Sequence, residues 1–141
     1  MSDERGKGTR GYPVRDPIEA VFVGVLDNRN DGRALKLIKE RTRCVRRFDI
    51  HELILTDEAH AAPGAVVGGV HYLGFVEFQS GSVLMEGDRL MIGDECIGTL
   101  AGFDETHCPN HYNVLFTGPR RITGVELGQR PGDRIVLIPA R

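Results

Sequence analysis

Apolar residues in this chain fall in short runs separated by turn formers, and no long segment holds a helical 3.6-residue period. Ile18 to Leu26, Asp49 to Thr56, Ala65 to Phe78, Arg89 to Ile92 and Cys96 to Phe103 are rich in β-branched and aromatic residues. So are Tyr112 to Phe116, Ile122 to Leu127 and Arg134 to Ile138. Such runs read as strands, because branched side chains pack well on a pleated surface. With turn signals roughly every 8–12 residues, about nine or ten short strands point to an all-β fold, a single closed or partly open β-barrel. A chain of 141 residues makes one domain. Residues 1–16 are charged and glycine-rich, with nothing periodic, and read as a flexible tail. Residues 17–141 read as the barrel domain.

Several local features refine this expectation. The segment Arg33 to Arg47 fits no single period. Within it Ala34 to Glu40 reads as a short helix or as a strand that pairs back on Ile18 to Leu26, and the hairpin signal Asp31-Gly32 favours the strand. Gly68-Gly69 and Gly74 lie inside a strand-like run and predict bulges or barrel corners. Glu86-Gly87-Asp88-Arg89-Leu90 is echoed by Pro131-Gly132-Asp133-Arg134-Ile135, which marks two equivalent turns leading into strands.

The net charge of −2 supplies no electrostatic case for nucleic acid or for an anionic membrane. Three irregularly spaced cysteines, Cys44, Cys96 and Cys108, argue against a disulfide framework and for a cytoplasmic location. Met1 to Arg15 lacks the apolar stretch of a signal peptide. No segment approaches a membrane-spanning length.

The chemistry concentrates in Asp104-Glu105-Thr106-His107-Cys108-Pro109-Asn110-His111-Tyr112-Asn113. Pro109 cannot donate to a sheet ladder, so this run reads as a loop or strand end. His107 and His111 are candidate acid and base, because an imidazole titrates near neutrality. Asp104 or Glu105 is the candidate carboxylate that orients one of them. Asn113 is a candidate substrate contact, and Arg46 or Arg47 a candidate bidentate partner for a substrate carboxylate. His51 and Glu52 are adjacent on a strand and point to opposite faces, so just one of them looks into a barrel. Glu77, a lone carboxylate in an apolar strand, becomes a buried acid if its face is core. No metal is expected. A zinc set of His107, His111 and Cys108 is an alternative without a recognised spacing.

The series Gly81 to Leu90, Ile97 to Gly102, Asn113 to Gly118 and Pro131 to Ile135 resembles the glucitol/sorbitol-specific enzyme IIA component of the bacterial sugar phosphotransferase system. Leu53-Ile54-Leu55-Thr56 followed by Ala62-Pro63 resembles the same family. The resemblance implies a cytosolic β-barrel. That family phosphorylates a histidine in a His-Cys-His-Gly run. The matching stretch here, Gly74 to Phe78, has none, and His71 lies earlier. The run Gly102-Phe103-Asp104 with Pro109-Asn110-His111 is also similar to a small family of uncharacterised bacterial proteins.

These readings lead to a small cytosolic barrel that binds a polar metabolite and catalyses a proton-transfer step: isomerisation, cyclisation or elimination. The alternatives are a non-catalytic binding or accessory module, and a phosphotransferase-like carrier. A homodimer is compatible with unpaired sheet edges.

Overall fold

A computed structural model describes residues 14–140, and within them the fold is all-β without a helix. Twelve strands follow in chain order: β1 (Ile18–Val25), β2 (Arg29–Asn30), β3 (Leu35–Lys36), β4 (Thr42–Val45), β5 (Ile50–Thr56) and β6 (Val66–Val67), then β7 (Val70–Phe78), β8 (Ser82–Met85), β9 (Arg89–Ile92), β10 (Glu95–Asp104), β11 (Asn113–Thr117) and β12 (Arg134–Ile138). Seven of them close a ring in the order β1-β12-β9-β10-β11-β5-β7, with β7 pairing back to β1. The expected partly open barrel is present. Its strand count exceeds the expected one because three two-residue strands decorate it.

The ring encloses one apolar core. Phe22 of β1, Leu53 and Leu55 of β5, Phe78 of β7, Phe103 of β10, Phe116 of β11 and Leu137 of β12 all point into it. A second cluster of Leu35, Leu37, Ile54, Val67, Val70 and Leu115 covers the opposite face of β5 and β11. These two strands are therefore buried on both sides. That explains why β5 alternates no polar face to solvent.

Every ring contact is antiparallel except β5–β11, which run parallel with Glu52 opposite Asn113. This pairing is the one that assembles the site. Closure needs tight corners, and Gly74 makes one. Its φ is +150°, and a Cβ there would meet the Gly24 carbonyl oxygen, so no other residue fits. Irregular registers at Leu53/Ile54 and Phe22/Gly24 flank it, which is the predicted bulge.

Two expectations are corrected. Ala34 to Glu40 does not pair with β1, because both edges of β1 are taken, by β12 and β7. Instead β3 pairs with β6 and β4 with β8. Ile122 to Leu127 forms no strand. Thr123 and Glu126 cap each other reciprocally: the Thr123 N–H donates to Glu126 Oε1 at 3.0 Å, and the Glu126 N–H to Thr123 Oγ1 at 3.2 Å. The result is a turn, not an extended segment.

The turn made by the two Gly-Asp echoes recurs a third time, at Phe48-Asp49. In each turn an aspartate accepts from the N–H three residues back: Asp88 from Met85, Asp133 from Arg130, and Asp49 from Arg46. The left-handed position is Gly87 (φ 97°) and Gly132 (φ 99°) in two of them, and Phe48 (φ 73°) in the third. The three turns launch β9, β12 and β5. Arg15 lies in the segment read as a tail, and residues 1–13 fall outside the described residues. Its guanidinium grips Asp88 with two 2.7 Å contacts and is nearly buried.

Candidate functional site

The parallel β5–β11 pairing brings the start of both strands together, so His51 and Glu52 meet the residues that precede Asn113. The Glu52 N–H donates to the Tyr112 carbonyl. In turn the Tyr112 N–H donates to His51 Nδ1 at 3.1 Å. Strand alternation sends the two β5 side chains to opposite faces. His51 faces the interior with Leu53, and Glu52 faces outward with Ile54. Both are buried, at 8% and 6% exposure.

On the outer face, His111 Nε2 lies 3.3 Å from Glu52 Oε1, with both side chains almost closed to solvent. The other ring nitrogen, Nδ1, is 2.7 Å from the Asn110 side-chain oxygen. His107 stacks on His111, with ring centroids 5.2 Å apart, but is itself exposed. Phe75 closes the other edge of His111 in a T-shaped contact. Burial pushes Glu52 up to about 6, with His107 and Arg33 opposing and Asp104 reinforcing. Burial also lowers His111, opposed by the Asn113 amide and the Asp104 charge. Burial thus disfavours the charged form of both partners.

On the inner face, His51 stacks on Tyr112 and Arg43 covers that ring from 4.6 Å. Burial drops His51 to about 4, partly opposed by Asp49. His51 is thus a neutral imidazole at pH 7. Its Nδ1 accepts from Tyr112, so its proton sits on Nε2, which is buried and makes no hydrogen bond. Burial also raises the Tyr112 phenol, and its hydroxyl donates to the Cys44 carbonyl at 2.9 Å.

An open cleft of about 440 Å³ lies where these parts meet. Arg43, Cys44, Arg46, Asp49 and His51 line one side. Cys108, Pro109, His111 and Tyr112 line the other.

The structure thus brings His111, His107 and His51 together, but distributes the other expected residues differently. Asp104 does not orient a histidine. Its carboxylate accepts from Thr106 Oγ1 at 2.7 Å and from Asn113 Nδ2 at 2.8 Å, and so caps the turn. Asn113 is 1% exposed, and its side-chain oxygen has no hydrogen-bond partner. Glu105 pairs with Arg43 at 3.1 Å. Arg46 lines the cleft and faces Asp49 at 3.6 Å, whereas Arg47 stacks on Phe48 away from it. Glu77 shares the outer face with Phe75 and accepts from Gln79, outside the cleft. Val76 and Phe78 hold the core face. His107, His111 and Cys108 gather no further ligand. Among the described residues, no three His, Cys, Asp or Glu side chains converge to hold a metal. His71, nearest to where the phosphotransferase family places its histidine, is 2% exposed.

Tyr112, Arg43 and Asp49 were given no role in the expected site, and Glu52 was weighed only against His51 for the barrel-facing position. Glu52 stood beside His51 in the sequence, but only the parallel pairing shows that it meets His111.

Residues 12–138 match the family described as Family of unknown function (DUF6917), and the chain belongs to that family. Neither curated proteins nor solved structures supplied a match.

Proposed function

We propose that this DUF6917 chain binds a small polar molecule in its cleft and exchanges a proton with it through His111, backed by Glu52. The observation that carries the reading is the 3.3 Å contact between His111 Nε2 and Glu52 Oε1, at the wall of a cleft large enough for a metabolite. Nδ1–H donates to Asn110, and Nε2 shares a proton with Glu52. A basic atom of the ligand that displaces the exposed Asn110 side chain takes the Nδ1 proton. As it leaves, Nε2 takes the proton of Glu52, so the imidazole never carries an uncompensated charge. The reverse sequence removes a proton from the ligand. A carboxyl lifted to about 6 suits this relay, because it gives and takes protons near neutral pH. Isomerisation, cyclisation or elimination of a polar metabolite all fit such a step.

A non-catalytic binding module is the second reading. It is favoured by the engagement of both His111 nitrogens in the unliganded chain. A phosphotransferase-like carrier has less support, since an imidazole that accepts phosphate must be open to its donor and His71 is not.

Incubation of the purified protein with pooled polar metabolites in D₂O separates these readings. For the proton-transfer reading, mass spectrometry finds one metabolite that gains carbon-bound deuterium with the native protein, and not with His111→Ala or Glu52→Gln. Retention of a metabolite by dialysis without deuterium uptake favours the binding module. Neither retention nor uptake sinks both.

A further inference from the structure

All three cysteines are exposed thiols, yet two of them share an environment that the third lacks. Cys44, on β4, and Cys108, in the turn before β11, line the same cleft, and Cys96 does not. They flank one pair of side chains. The Arg43 guanidinium donates to Cys108 Sγ at 3.5 Å and covers the Tyr112 ring. The Tyr112 hydroxyl holds the Cys44 carbonyl. Cysteines that enter thiol chemistry sit in partly exposed sites beside a cation, and inert ones are buried in apolar surroundings.

We propose that Cys108 and Cys44 form a dithiol site for exchange with a low-molecular-weight disulfide, Cys108 attacking and Cys44 completing the reaction. The Cys108 thiolate forms a bond to one sulfur of the disulfide, whose S–S bond breaks and releases the first thiol. The Cys44 thiolate then attacks the protein sulfur of that mixed disulfide and releases the second thiol. The protein loses two protons and two electrons, and the small disulfide is reduced to two thiols. The product ties β4 to the turn that carries His111, across the cleft. Arg43 orients the sulfur that attacks, and Glu105 holds the same guanidinium in place at 3.1 Å. The proposal stands on the cleft's geometry and does not depend on the proton relay.

The test uses the full chain and glutathione disulfide, followed by mass spectrometry of the intact protein and of its peptides. A transient adduct on Cys108 is expected first, then a Cys44–Cys108 cross-link with Cys96 still free. Cys44→Ser stops at a stable adduct on Cys108. Arg43→Gln slows the first step by about tenfold while Cys96 keeps its rate. Circular dichroism of both variants checks that they fold. The proposal is overturned if Cys96 reacts as fast as Cys108 in the native chain. It is equally overturned if the native adduct on Cys108 persists without a cross-link.

Discussion

His51 lies flat against Tyr112, with ring centroids 3.5 Å apart and planes within 12° of parallel, while the Tyr112 backbone N–H donates to His51 Nδ1. One strand's imidazole is thus locked by the backbone and the ring of its parallel neighbour. The lock fixes its tautomer, and burial keeps it uncharged.

That neutrality predicts acid sensitivity. Burial holds His51 at about 4 in the folded chain against 6.5 for a free imidazole, so the unfolded chain binds the extra proton. The stability tied to this group is complete above pH 6.5 and is lost as pH falls toward 4, by up to about 3 kcal/mol. His111 and His71 are lowered too and add in the same direction. Urea unfolding at pH 7 and pH 4.5 checks this. The native protein loses more stability between the two than His51→Phe does, and equal losses would refute the assignment.

Glu52 acts with the opposite sign. Its carboxyl is raised to about 6 from 4.5, so its contribution to stability is whole below pH 4.5 and is lost as pH rises through 6. Glu52→Gln keeps the shape and removes the buried charge. At pH 7 it is expected to be more stable than the native chain by about 2 kcal/mol and inactive in deuterium exchange. A variant that is both destabilised and active would contradict the shared-proton pair.

Phe48 occupies the position that Gly87 and Gly132 hold in the two related turns, at a φ of 73°. A side chain there costs about 1 kcal/mol. Phe48 is 55% exposed, so its removal forfeits little burial. Phe48→Gly is expected to be more stable than Phe48→Ala by about 1 kcal/mol, because both lose the Arg47 contact but only alanine keeps the strain of the left-handed position. Thermal unfolding of the two variants side by side measures the difference.

Arg15 and Asp88 form a nearly solvent-free bidentate pair. Asp88 also accepts from the Met85 and Ala140 N–H groups. Removing one partner strands a buried charge. Arg15→Met and Asp88→Asn are therefore each expected to cost about 3 kcal/mol, and the double variant less than their sum. Denaturant titration of the four proteins decides, and additive losses would show that the two groups are not coupled.

Much of the architecture was legible in the chain. The spacing of Val, Ile and Phe between turn formers located β1, β5, β7, β9, β10, β11 and β12, because strand alternation and turn chemistry are local. The Gly87 and Gly132 turns were visible for the same reason. Their third copy was hidden, since phenylalanine at Phe48 carries no turn signal. The pairing of Ala34 to Glu40 was misread because the Asp31-Gly32 signal says where the chain turns, not which edge is free. The histidine-rich turn stood out by composition, but the roles within it did not. Asp104 caps and Glu52 partners, a division set by contacts across the sheet.

By itself, then, the sequence determined the all-β class, the strand positions and the turn that carries His107 and His111, all of which follow from periodicity and backbone preference over a few residues. Only the tertiary structure decided that β5 and β11 lie side by side and parallel, that His51 turns inward while Glu52 turns out to meet His111, and that two cysteines share one cleft. Those outcomes depend on which strand edges remain free once the ring closes and on which face each cluster buries. Such competition between distant segments leaves no trace in local residue order.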